Sequence, residues 1–251
     1  MDAFGQRRRR VALVISGLLI LASTACGETT PPVEGYADIS ALRVVVEQIY
    51  PQIEQPYSQP ITGTVVNILQ ELGHMVLDDI DEADATLTIT LTGTGERVTY
   101  GSSRCYTKAV YEGQLTLTAP GRAPLEVPLE GSYIPIVARS CPLHPISAPF
   151  DNAWPEIVLD GLSRVWGQQL LIVALEDEDE DCDVRRGAVE VLKELGLDAK
   201  ESVPALIQAL IRDEQDHCAL GYSISIALHA ITGEYCSEDV SCWQGWWEQY
   251  Q

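Results

Sequence analysis

Between about Asp38 and Ala138 the dominant spacing of apolar side chains is every second position, that of strands that bury one face. Leu87, Ile89 and Leu91 alternate with Thr86, Thr88, Thr90 and Thr92, which gives one apolar and one hydroxylated face. Leu115 and Leu117 alternate with Thr116 and Thr118, Pro120-Gly121 turns the chain, and Leu125, Val127 and Leu129 resume the pattern. This predicts a hairpin over residues 106–134. Ahead of these strands, Ile61, Val65, Ile68, Leu69 and Leu72 are spaced as on one helix face, with Pro60 at the start and Gly73 at the stop. Residues 42–50 fit both periods. Ile39, Leu42, Val46 and Ile49 suit a helix, whereas Val44-Val45-Val46 favours a strand, and the three β-branched residues tilt the reading to the strand. The order β-α-β-β-β, closed by a helix from about Asn152, is that of a small α+β domain with an antiparallel sheet.

From about Ile157 the period becomes 3.6. Ile157, Leu162, Val165 and Trp166 open an apolar stripe that extends through Leu170 to Leu175. Further helices are predicted from Asp183 to Gly196, over residues 202–211 with Pro204 in the first turn, and from about Asp216 to Ile231. The pattern Asp183-Val184-Arg185-x-x-Ala188, Leu192-x-x-Leu195-Gly196, Val203-Pro204-x-Leu206-Ile207-x-Ala209-Leu210 resembles HEAT-type, or bilin-lyase-like, repeats. The ending Ala230-Ile231-Thr232-Gly233, followed by Trp243-x-x-Trp246-Trp247, resembles the C-terminal cap of many such bacterial proteins. The α+β half, through its element order and the strand Ala83–Leu91 (ADATLTITL), resembles α+β lipoproteins of bacterial envelopes that assist assembly or transport complexes. The fold class is therefore α+β: an α+β domain over residues 38–172, followed by an all-α HEAT-like domain over residues 173–251.

An offset of 36 relates Leu192 to Leu228, Leu195 to Ile231 and Cys182 to Cys218, a plausible repeat length for stacked helix pairs. Stacked repeats would bring those two cysteines to the same end of adjacent helices, where a bridge would staple one repeat to the next.

The N-terminus alters the picture of where this chain works. Arg7-Arg8-Arg9-Arg10 precedes an uncharged run from Val11 to Ala25, and Cys26 follows. A basic region, a short apolar region and small residues before a break make an export signal over residues 1–25. Ser23-Thr24-Ala25-Cys26 resembles the lipobox of bacterial lipoproteins, with Ser23 standing where that family usually has Leu. The resemblance implies cleavage before Cys26 and a diacylglycerol on its sulfur, whose two acyl chains would hold the protein stably on a membrane where a single chain would not. Residues 26–37, with Pro31-Pro32 and no apolar period, read as a tether. The six other cysteines, Cys105, Cys141, Cys182, Cys218, Cys236 and Cys242, form no C-x-x-C pair. Six cysteines in an exported chain suggest disulfides and allow fifteen connectivities. Pairing of neighbours, 105–141, 182–218 and 236–242, is the simplest.

Charge narrows the partners. Sixteen Lys and Arg stand against 37 Asp and Glu, a net charge of −21. Removing residues 1–25 takes away four Arg and Asp2, a net +3, and leaves −24. Such a chain does not neutralise nucleic-acid phosphates. The acidic run Asp177–Asp183 looks like the start of a calcium loop, but the sixth and twelfth places hold Cys182 and Ala188 instead of Gly and Glu. Helix capping by Asp183 explains it better. His74, His144, His217 and His229 are followed by Met75, Pro145, Cys218 and Ala230, so the His-Glu pairs of the iron hydroxylases in the repeat class are missing. Neither G-x-S-x-G, a P-loop nor H-E-x-x-H occurs. Trp243, Trp246, Trp247 and Tyr250 share one helix face, as expected of a cover over the last repeat or of a partner surface. The expectation is a membrane-anchored, extracytoplasmic protein-binding or scaffold lipoprotein with no cofactor, metal, nucleic acid or catalysis. A purely structural envelope component and an enzyme with an unrecognised site are the alternatives.

Overall fold

The computed structural model describes residue 36 and residues 38–49, 61–79, 81–100, 104–133, 154–177, 181–213 and 218–250, with backbone placement alone for 48–49, 95–100, 104–107 and 133. The export signal, Cys26, nearly all of the tether and Cys141 lie outside the described residues, and Cys105 is placed by its backbone only. The pairing of Cys105 with Cys141 therefore falls outside them too.

Five strands form one sheet in the order β2-β1-β3-β4-β5. They are β1 (Ala41–Ile49), β2 (Met75–Val76), β3 (Ala85–Tyr100), β4 (Arg104–Thr118) and β5 (Leu125–Tyr133). The valines of residues 44–46 do form a strand. The predicted hairpin is β4–β5, with Leu115 opposite Val127 and Leu117 opposite Leu125. One feature departs from the antiparallel expectation: β1 runs parallel to both β2 and β3, so the sheet is mixed. The reason is α1 (Ile61–Glu71), a helical crossover that returns the chain in the direction it left. A further residue pair, Met75-Val76, is too short to carry a period.

Alternation places Leu87, Ile89, Leu91, Leu115, Leu117 and Leu129 on the covered face, all essentially fully buried. Helix α1 buries Ile61, Val65, Ile68 and Leu69 towards it, and α2 (Trp154–Trp166) packs on β4 and β5. Thr86, Thr88, Thr90, Thr92 and Thr94 of β3 fall on the other face and are partly exposed, as in a sheet with one solvated side. Asp84 fixes the entry to β1. Its carboxylate accepts from the Ser40 N–H (3.1 Å), the Ser40 hydroxyl (2.9 Å) and the Ala41 N–H (2.9 Å). These bonds, with Ala41 foremost, hold its pKa below the usual carboxylate range.

The helical layer continues with α3 (Gln169–Glu176), α4 (Cys182–Leu195), a 3-10 helix (Gly196–Ser202), α5 (Val203–Asp213), α6 (Gly221–Thr232) and α7 (Val240–Tyr250). The stripe from Ile157 to Leu175 is split into α2 and α3 because Gly167 takes φ +78°, a left-handed conformation that glycine adopts without cost. The α4 cap also differs from expectation. Asp181, not Asp183, is the capping residue, its carboxylate accepting from the Asp183 N–H at 2.9 Å. Asp183 sits in the first turn and pairs with Arg186.

Helix α4 packs against α2, α3 and α6, burying Val184, Ala188, Val191 and Leu192. The 36-residue offset holds at Leu192 and Leu228, both fully buried, but not at the next pair: Ile231 is buried while Leu195 is 37% exposed. Gly196 ends α4 directly after Leu195. The buried residues form one connected cluster, from Ile39 beside β1 to Trp243 in α7.

Candidate functional site

The disulfides in the helical layer show how its surface is built. Cys182 opens α4 and is bonded to Cys218, three residues before α6, with Cα atoms 5.2 Å apart. The bridge ties together the N-terminal ends of two packed helices. Arg185, one turn into α4, is 6% exposed and places Nη2 2.6 Å from the Cys218 sulfur. Cys236 and Cys242 are bonded, with Cα atoms 5.6 Å apart, and close the loop that leads into α7.

Three surfaces result. The first is apolar and lies on α6 and the 3-10 helix. Tyr222 and Ile226, with Ala230, fall at i, i+4 and i+8 and so form one stripe along α6. Tyr222 is 69% exposed and Ile226 38%. The 3-10 helix runs beside the C-terminal half of that stripe: a methyl on Gly196 would lie 3.9 Å from the Ala230 carbonyl oxygen. Leu195 and Leu197, which flank Gly196, are themselves exposed. The 36-residue offset relates Leu195 to the buried Ile231, yet Leu195 is exposed, and the stripe on α6 was not among the sequence expectations. Its signal was Tyr222 and Ile226, apolar residues outside the helix face that Ile224, Leu228 and Ile231 define.

The second surface is acidic. A groove between α2, α4 and the 3-10 helix, a cavity of about 330 Å³, is lined by Asp160, Glu194 and Asp198 with Ser163, Arg164 and Gln168. It adjoins a second hollow that adds Glu130 and Glu156 and shares Asp160 and Glu194. Arg164 pairs with Asp160 at 2.5 Å. Burial, and then the Glu194 carboxylate, push the Glu156 carboxyl above its usual range, and Lys193 works against them. Among the described residues, no group of three or more His, Cys, Asp or Glu could hold a metal ion.

The third surface is the aromatic end. Trp243 is fully buried and donates its ring N–H to the Ser237 carbonyl at 2.8 Å, the covering role expected at the end of the layer. Outside it, Trp246 stacks on Tyr250 with centroids 4.9 Å apart, and Lys200 Nζ lies 5.8 Å from the Tyr250 ring centre. One face of α7 therefore divides into a core anchor and a half-exposed aromatic rim.

Of the described histidines, His74 packs edge-on against Trp166 with centroids 5.9 Å apart. Burial holds its pKa below the ordinary imidazole value, against a backbone hydrogen bond at Ile39. His229 bonds the Glu234 carbonyl at 2.7 Å and meets Tyr235 edge-on. The two stand on different elements, in separate local contacts. Among the described residues, no helix is long and apolar enough to cross a membrane.

No family model matches the sequence, and no curated protein matches it. Solved structures overlap it in part. Lipoprotein GNA1162 from Neisseria meningitidis is 14% identical over 37% of this chain and 83% of its own, with a TM-score of 0.25. A minor lipoprotein from Acinetobacter baumannii is 9% identical over 39% of this chain and 67% of its own, with a TM-score of 0.24. The rare lipoprotein B from Shewanella oneidensis is 14% identical over 52% of this chain and 89% of its own, with a TM-score of 0.26. These three are, by name, bacterial lipoproteins.

Proposed function

We propose that this chain is an exported lipoprotein, held to a membrane through Cys26, that binds another protein through the helical surface of residues 173–251. Its mechanism is association. The helices α4, α5 and α6 act as a short HEAT-like stack whose outer side chains form the contact surface, and the anchor confines that surface near the membrane. One observation carries the reading. Among the described residues, the exposed large hydrophobics are Leu195, Leu197, Tyr222, Ile226, Tyr235 and Tyr250 in this part, and Met75 alone elsewhere. Exposed apolar residues gathered on one part of a molecule mark contact surfaces.

The test is in-cell crosslinking and affinity capture with the full chain, comparing it with a variant carrying Leu197→Asp, Tyr222→Asp and Ile226→Asp. These side chains are exposed, so the variant should melt within a few degrees of the parent. A captured protein that disappears with the variant supports the reading. Identical captures move the binding surface to the α+β part, and capture of the chain's own copies alone favours a structural envelope role. The anchor is tested separately, by intact mass of detergent-extracted protein: a mature chain without acyl groups on Cys26 removes that element.

A further inference from the structure

We infer that the Cys236–Cys242 disulfide is a reducible clasp that locks α7 onto the molecule, while Cys182–Cys218 is a permanent staple. The two bridges differ in setting. Cys218 is 6% exposed, lies against the buried Arg185 and is bonded to the half-buried Cys182, whereas Cys242 is exposed on the first turn of α7 and its partner Cys236 is half-buried. A thiolate must reach a sulfur to open a disulfide, so the exposed bridge is the labile one.

The chemistry needs only a dithiol reductant. One thiolate of the dithiol attacks the Cys242 sulfur, forms a mixed disulfide and expels Cys236 as thiolate. The second thiol then attacks the mixed disulfide and releases Cys242. The reductant leaves as its own disulfide, and the chain gains two thiols.

The contacts inside the clasped loop show what opening would do. Ser237 sits at φ +50°, a left-handed conformation unfavourable for a residue with a side chain. Its carbonyl is the partner of the Trp243 ring N–H. Asp239 caps α7 by accepting from the Cys242 N–H at 3.1 Å. The bridge spans this loop and holds Ser237 where Trp243 needs its carbonyl. Once the bridge opens, Ser237 relaxes, Trp243 loses its partner, and α7 loosens from α5, the helix it packs on.

The experiment titrates the full chain with dithiothreitol, alkylates free thiols, maps them by peptide mass and follows amide exchange. Cys236 and Cys242 should label at a roughly tenfold lower dithiol concentration than Cys182 and Cys218. At that point exchange should rise across residues 240–250 and stay unchanged across residues 182–232. Prior or simultaneous opening of Cys182–Cys218 overturns the inference, and so does opening of Cys236–Cys242 with α7 exchange unchanged. A Cys236→Ser/Cys242→Ser variant provides an independent check. It should show the loosened α7 without reductant, and exchange equal to the oxidised parent would sink the proposal as surely.

Discussion

At the scale of single residues, two positions make the packing testable. Gly187 lies in the middle of α4, where that helix crosses the start of α2. A methyl there would approach the Glu156 backbone nitrogen to 2.8 Å and the Pro155 carbonyl carbon to 3.0 Å. Backbone atoms cannot swing aside as side chains do, so Gly187→Ala must part the two helices. The expected cost is about 1–3 kcal/mol, read as a lower melting temperature. Gly245 in α7 has nothing within 4 Å of the same position. There Gly245→Ala should be neutral or stabilise by about 0.4–1 kcal/mol, a control for glycine replacement in general. Glu156, beside the same crossing, carries a carboxyl held above its usual range by burial and the Glu194 charge. A raised folded-state value means that folding favours the protonated form. The associated stability is complete below the unfolded-state value and is lost as pH rises through the folded one. Glu156→Gln should therefore be more stable than the parent at pH 7, and the gap should close as pH falls below the unfolded-state value. Denaturant midpoints across that range would show it, and a gap that widened on acidification would contradict it.

At the scale of elements, helix α6 shows both what sequence reveals and what it hides. Its apolar face, Ile224, Leu228 and Ile231, was readable from spacing, as were the alternating strands β3, β4 and β5. Those signals are local: a period repeats within a few residues, whatever the rest of the chain does. The beginning of α6 was not readable. Its capping residue Leu220 offers no side-chain acceptor. Instead Asp213, the last residue of α5, accepts from the Leu220 N–H at 2.5 Å and the Gly221 N–H at 2.7 Å. A cap supplied from seven and eight residues away leaves no motif, because it depends on how α5 and α6 meet. The same limit applies to β2, whose residues become a strand only by pairing beside β1, and to Leu195, which the 36-residue offset relates to the buried Ile231 but which stands exposed. Asp213→Ala should cost about 2 kcal/mol, since two charge-assisted bonds are lost at one helix start. Asp213→Asn, which keeps one acceptor oxygen, should lose about half of that. Asp181→Ala removes an ordinary single-bond cap on α4 and should cost about 1 kcal/mol. Thermal melts of the three variants would rank them, and an Asp213→Ala melt no lower than that of Asp181→Ala would refute the double cap.

At the scale of the molecule, the question is whether the sheet half and the helical half stand alone. The change of period near Ile157 marks a change of secondary structure, and α3 runs across residue 172, where the boundary between the halves was drawn. Burial runs across it as well. Helix α2 packs on β4 and β5 with one part of its surface and on α4 with another, and α1 touches α3. Trp154, Val158 and Leu162 of α2 belong to the same buried cluster as Leu115 of the sheet and Ala188 of α4. Separating the halves would expose apolar surface on both sides of α2, at roughly 25 cal/mol per Å². A single cooperative transition is the expected result. The tryptophans, which lie in α2 and α7, report on the helical layer by fluorescence, and amide exchange in β3 and β4 reports on the sheet. In urea the fluorescence midpoint and the midpoint for loss of strand protection should coincide. A fragment of residues 38–172, deprived of α4, should fail to reach the parent's protection in β4 and β5. Two separate midpoints, together with a fragment as protected as the parent, would show two independent domains. The helical surface would then be a module that could be moved or removed without touching the sheet, and deletion of residues 173–251 would become a fair test of binding. A single midpoint means that such a deletion unfolds what remains, and that only point substitutions on the exposed stripe can separate binding from folding.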